Sequence, residues 1–164
     1  MDLVIRGTFE SSKVKNEDFV FALLFANFLA PDGKSEMVSV SDKTDSVFLI
    51  GGSSKKNRII SNVFHFENGN LKSSMDLLHK RRSHSAEIIS QNLILVTGSY
   101  IIDPVDPIRT TNSVEIFDRG NNSFGAFPSI PKGIHSHTAM LSTNNHVYVC
   151  GGADMNVYPT EFQN

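Results

Sequence analysis

The chain has 164 residues, 40% hydrophobic and 20% charged, which is ordinary for a folded domain and excludes wholesale disorder. A formal net charge of −2 gives no overall drive toward nucleic acid or an acidic membrane. The single cysteine, Cys150, excludes an internal disulfide and favours a reducing compartment, so a cytoplasmic location is expected.

Residues 1–36 form the first segment. The stretch Phe19-Val20-Phe21-Ala22-Leu23-Leu24-Phe25-Ala26-Asn27-Phe28-Leu29-Ala30 is apolar but for one residue and stops at a Pro31-Asp32-Gly33 turn. It is too short for a bilayer, which needs about 20 apolar residues. Asp2, Glu10, Glu17 and Asp18 outnumber Arg6, Lys13 and Lys15, so the basic leader of a signal peptide is missing. The expectation is a buried strand pair or a strand of a preceding unit.

From residue 37 onward the chain repeats itself. Val47-Phe48-Leu49-Ile50-Gly51-Gly52-Ser53 returns as Leu93-Ile94-Leu95-Val96-Thr97-Gly98-Ser99, and again as Val147-Tyr148-Val149-Cys150-Gly151-Gly152-Ala153. Aligned on Gly52, Gly98 and Gly152, the repeats are 46 and 54 residues long, with Thr97 in place of the first glycine of the middle pair. Between the glycines, Asn62-Val63-Phe64-His65-Phe66-Glu67 matches Ser113-Val114-Glu115-Ile116-Phe117-Asp118. Ser83-His84-Ser85-Ala86 matches Ser136-His137-Thr138-Ala139, and the first unit has only Glu36-Met37-Val38 in that region. A period of this size signals units that bury their apolar faces by stacking.

The units divide the chain into repeat 1 (37–80), repeat 2 (81–132) and an incomplete repeat 3 (133–164). Repeat 2 reads as four strands at about 84–89, 93–97, 113–117 and 123–127. The run LILV suits a strand buried on both faces, and Ser113–Phe117 alternates as a strand nearer an edge would. Asn68-Gly69 and Asp118-Arg119-Gly120-Asn121-Asn122 supply hairpin chemistry. No window shows helical spacing, so the fold class is all-β.

The double glycine, the Phe-Glu or Phe-Asp strand end and the Ser-His start of the next unit together resemble kelch repeats. Kelch units are four-stranded blades of β-propellers with a period of about 50. The resemblance covers roughly residues 37–158 and sets Phe66 and Phe117 where the family usually has tyrosine. Leu71 and Phe124 fall at its usual tryptophan, a residue this chain lacks. It implies a partial kelch-type β-propeller of about two and a half four-stranded blades. Propellers close with about four to eight blades. The first expectation is therefore a piece of a larger propeller, and the alternative is self-association that completes the ring.

Catalytic signals are sparse. His135 and His137 would share a strand face and make a metal pair conceivable, but no further ligand stands nearby. A repeated structural hydrogen bond explains His84 and His137 better. No serine lies in a strained nucleophile turn, and the glycine pairs lack phosphate-loop spacing. Cys150, in an apolar strand, is expected to be buried and inert. No enzyme activity, metal or other cofactor is expected, and no nucleic-acid or membrane partner.

The expected role is a non-catalytic protein–protein interaction scaffold, with an unidentified protein partner. The kelch resemblance implies substrate-recruiting adaptors or actin-binding modules, although no adaptor segment is recognisable in residues 1–36. The alternative is a fragment of a kelch-fold hydrolase, isomerase or oxidase. Two loops are candidate contact surfaces. One carries Lys55, Lys56 and Arg58. The other runs from Tyr100 through Asp103 and Asp106 to Arg109, with two prolines that lower the cost of ordering. The basic run Lys80-Arg81-Arg82 is expected to be solvated.

Overall fold

A computed structural model describes residues 36–41, 46–54, 59–67, 70–73, 75–101 and 109–155, all within one compact unit, Lys34–Asn164. Lys55, Lys56, Arg58, Asp103 and Asp106 lie outside the described residues, as do Phe19–Ala30 and the Asn68-Gly69 turn.

The described residues form ten strands and no helix. The first sheet runs in order through β1 (Val38–Ser41), β2 (Ser46–Ile50), β3 (Val63–Glu67) and β4 (Asn70–Ser73). The second repeats that path with β5 (Ser85–Ile88), β6 (Leu93–Ile101), β7 (Arg109–Asp118) and β8 (Ser123–Phe127). The third comprises β9 (His135–Leu141) and β10 (Val147–Ala153). Every pairing is antiparallel. The chain is all-β, and no helix among the described residues is long and apolar enough to cross a membrane.

The hairpin between β7 and β8 follows from its turn chemistry. Between β7 and β8, the Asp118 carboxylate accepts the Gly120 and Asn121 backbone N–H groups at 2.9 and 3.3 Å. Asn122 closes the turn at φ 49°, a left-handed conformation that asparagine tolerates. Strands β6 and β7 are longer than the sequence suggests, reaching Ile101 and starting at Arg109. Their ladder continues past an irregularity between Thr97 and Ser99.

The core lies between the first two sheets. Phe48, Ile50 and Val63 of the first pack with Ala86, Ile94, Val96 and Phe117 of the second, and Leu77 of the connecting segment joins them. Phe117 meets Phe48 edge to face at 5.7 Å and stacks on Phe124 at 4.6 Å, so one ring spans both contacts. The two sheets thus bury each other, as repeat units must.

The ladders correct the alignment of the repeats by one residue. Gly151 pairs with His137. Extending Ser85↔Thr97 by one step sets His84 against Gly98, and extending Val38↔Ile50 sets Met37 against Gly51. Gly51, Gly98 and Gly151 are therefore equivalent, as are Met37, His84 and His137. Both sets are spaced by 47 and 53 residues. Ser99, not Thr97, replaces a glycine: it stands in the position of Gly52 and Gly152. The slip escaped the sequence because Ile94 to Ser99 are all buried, which removes the in–out alternation that normally fixes register.

Candidate functional site

The joints between sheets share one construction. At Gly51 (φ 58°) a Cβ would sit 2.7 Å from the Arg81 carbonyl and 2.8 Å from Cε1 of His84. At Gly98 (φ 57°) it would sit 2.5 Å from the Ile134 carbonyl and 2.6 Å from Cε1 of His137. Both carbonyls are engaged by the next residue along: Gly52 N–H donates to Arg81 at 2.7 Å and Ser99 N–H to Ile134 at 3.0 Å. Each histidine ring thus packs into the space left by a missing side chain in the sheet before it. The residue ahead of each landmark is also left-handed: Glu36 at φ 56°, Ser83 at 49° and Ser136 at 54°. Non-glycine residues rarely adopt that conformation, so three equivalent instances mark a feature of the fold.

His137 makes the structural hydrogen bond expected of it, Nε2 to the Thr97 hydroxyl at 2.8 Å. His84 does not, because the residue equivalent to Thr97 is Ile50, which has no hydroxyl. Neither ring nitrogen of His84 has a well-aligned partner. Burial, reinforced by the positive charge of Arg81, pushes its pKa down from 6.5 to about 3, with the Ile50 backbone only weakly opposing. His137 is lowered too, first by burial and then by His135. The unfolded chain therefore binds protons that the folded chain refuses. Stability from these rings is complete above pH 6.5 and is lost as pH falls from there toward about 3. His84→Phe should flatten a plot of unfolding free energy against pH by about 1.4 kcal/mol per pH unit between about pH 6 and 4. An unchanged slope would show that His84 is solvated.

The basic run 80–82 is not solvated throughout: Lys80 is exposed as expected, but Arg81 is not. Arg81 is fully buried beside Glu115, which is 1% exposed. Its Nε and Nη2 both reach Oε1 of Glu115, at 2.9 and 2.8 Å. Its Nη1 donates to the carbonyls of Gly98 (2.7 Å) and Ser113 (3.0 Å). Glu115 also accepts the N–H groups of Leu78 and His79 at 2.7 and 3.1 Å. The expected alternation of Ser113–Phe117 fails at Glu115 for this reason. The pair pins the connecting segment 77–81 to β7.

Arg82, one residue on, faces a different environment. Ser99 binds its backbone, accepting Arg82 N–H at 3.1 Å, while its one hydroxyl proton is shared between the carbonyls of Tyr100 at 2.8 Å and Arg82 at 3.2 Å. Tyr100 N–H donates to that same carbonyl at 3.0 Å. The serine that replaces a glycine therefore ties the connecting segment to β6. The Arg82 guanidinium lies 4.2 Å above the Tyr100 ring, and the His135 ring meets that ring edge-on at 5.6 Å. Glu36 reaches to 3.6 Å from Nε of Arg82, which makes no hydrogen bond. Nε2 of His135 has no partner either, while its Nδ1 contacts the Ser136 hydroxyl at 2.9 Å. One aromatic ring, one guanidinium, one imidazole and one carboxylate thus converge beside the left-handed row.

Of the sequence-selected residues, Tyr100 is at the centre of this cluster. Arg109 opens β7 opposite Ile101 and is exposed. His135 and His137 do not act as a pair: the left-handed Ser136 between them breaks strand alternation, so one ring meets Tyr100 and the other Thr97. No group of three metal-ligating side chains occurs among the described residues. Cys150 is exposed rather than buried, since no strand covers that side of β10 among the described residues. Sequence reasoning missed Ser99 and took Arg82 only as part of a solvated basic run. The available signal was the triplet Arg82-Ser83-His84 recurring as His135-Ser136-His137, a basic or imidazole residue before each landmark.

The sequence matches no described protein family and no curated protein. Among solved structures, the chain is similar to one described as the structure of YjhT, with a TM-score of 0.63 and 16% identity. The likeness covers 75% of this chain and 35% of that one, so this chain spans about a third of it.

Proposed function

We propose that the chain is a partial kelch-type β-propeller serving as a non-catalytic protein-interaction scaffold, with its contact surface at the Arg82–Tyr100–His135 cluster. The repeated sheet path, the repeated joint and the likeness in fold to a longer solved chain support the architecture. The observation that carries the surface is the half-buried Tyr100 ring flanked by the Arg82 guanidinium and the His135 imidazole. Aromatic and arginine side chains are enriched among residues that dominate binding energy. The exposed part of the Arg82 guanidinium, whose side chain is 20% exposed, would give a charge-assisted bond to a carboxylate on the partner, worth more than a neutral pair. A three-element origin (connecting segment, β6 and β9) keeps the groups in place before binding, which lowers the ordering cost.

Selection from a displayed random peptide library tests this. Peptides enriched by the wild-type chain should carry an acidic residue and should lose about tenfold or more in affinity against Arg82→Ala and against Tyr100→Ala. Enriched peptides that bind both variants as well as the wild type would place the contact surface elsewhere.

A further inference from the structure

The two ends of the stack carry unmatched halves of one joint. Gly151 has the left-handed φ of its equivalents, 73°, yet a Cβ there would meet nothing within 4 Å among the described residues. Gly51 and Gly98 each meet a carbonyl and a ring carbon from the following sheet. Exposure follows the same division. Tyr148 is 49% exposed, whereas its equivalents Phe48 and Leu95 are 2% and 5% exposed. At the opposite end, Ser39 is exposed where its equivalents Ala86 and Ala139 are buried at 7% and 5%. Among the described residues, no sheet follows the third and none precedes the first.

We propose that these halves join between copies: the open side of the third sheet receives the first strand of a second copy of this chain, Met37 of the incoming copy packing over Gly151 beside Cys150. The inference is independent of what the Arg82 cluster binds. The chemistry at the two ends is matched. Inside the chain, Thr97 stands against His137, hydroxyl to imidazole at 2.8 Å. The residue equivalent to Thr97 is Cys150 and the residue equivalent to His137 is Met37, so the intermolecular pair is thiol against thioether, both apolar and polarizable. Hydrogen bonding matches as well. The Ser85 hydroxyl accepts the Ala139 N–H at 2.8 Å across the internal joint. Thr138 is the equivalent of Ser85 and is exposed, with a hydroxyl ready for the Ser39 N–H of the incoming strand.

Strand β10 pairs with β9 alone among the described residues. The coverage of the YjhT likeness, 75% of this chain against 35% of that one, makes that chain about twice as long as this one. Two copies joined head to tail at both ends would close as a ring of comparable length, whereas a joint that fails to close would propagate.

Cys150, the only cysteine, reports on the joint because it is exposed in the single chain and covered in the assembly. Light scattering and timed alkylation of the purified 164-residue chain are measured together across a concentration series. A dimer is expected, with alkylation of Cys150 slowing about tenfold as the dimer forms. Met37→Asp, and separately Thr138→Glu, should restore both the monomer and the fast alkylation while leaving the circular dichroism of the dilute chain unchanged. A monomer at every concentration overturns the proposal, whether a segment of the same chain or a foreign partner fills the joint instead. So does any assembly in which Cys150 stays as reactive as in the dilute chain.

Discussion

Glu115→Ala should destabilise the chain by about 3–5 kcal/mol in denaturant titrations, the cost of leaving a buried charge without its partner. Arg81 is fully buried, and burial already pulls its guanidinium below the ordinary arginine value, with Glu115 opposing. Removing the carboxylate takes away that opposition, and with it the acceptor for the N–H groups of Leu78 and His79. Those two groups then join the guanidinium as unsatisfied donors. The double variant Arg81→Met with Glu115→Leu should recover most of the loss, because an apolar pair of similar volume needs no compensation. If Glu115→Ala costs under about 1 kcal/mol, water reaches the pair and the connecting segment 77–81 is held by something else.

This pair also shows what was legible in the sequence and what was not. Strand order, turn positions and the repeat could be read because each rests on local pattern: apolar runs, Asx turns and glycines. The register at the glycines could not, because β6 is buried on both faces and its apolar run looks the same after a one-residue shift. Arg81 was misread as solvated because its partner lies 34 residues away, and nothing in the Lys80-Arg81-Arg82 run announces Glu115. The same distance hides the Arg82–Tyr100–His135 cluster, which assembles from three elements. Tyr100 was selected for the loop it introduces, and its role comes instead from the guanidinium and imidazole that flank its ring. Cys150 was expected to be buried because it closes the apolar run Val147–Cys150. That inference assumed a following sheet, and the described residues contain none.

Gly98→Ala and Gly151→Ala, a single methyl group added at equivalent positions, should separate sharply in stability measured on the dilute chain. Both glycines are left-handed, at φ 57° and 73°, and alanine pays about 1–2 kcal/mol for that conformation at either one. Only Gly98 adds a collision. Its new Cβ would lie 2.5 Å from the Ile134 carbonyl, which is tied to Ser99 N–H, and 2.6 Å from the His137 ring, which is tied to Thr97. Neither neighbour can retreat without breaking a buried hydrogen bond, so overpacking adds about 1–3 kcal/mol. The expected totals are about 2–5 kcal/mol at Gly98 and about 1–2 kcal/mol at Gly151. Equal losses would mean either that the His137 joint yields freely or that the space over Gly151 is already filled in the isolated chain. Alkylation of Cys150 tells these apart, since a filled joint would shield the thiol at every dilution.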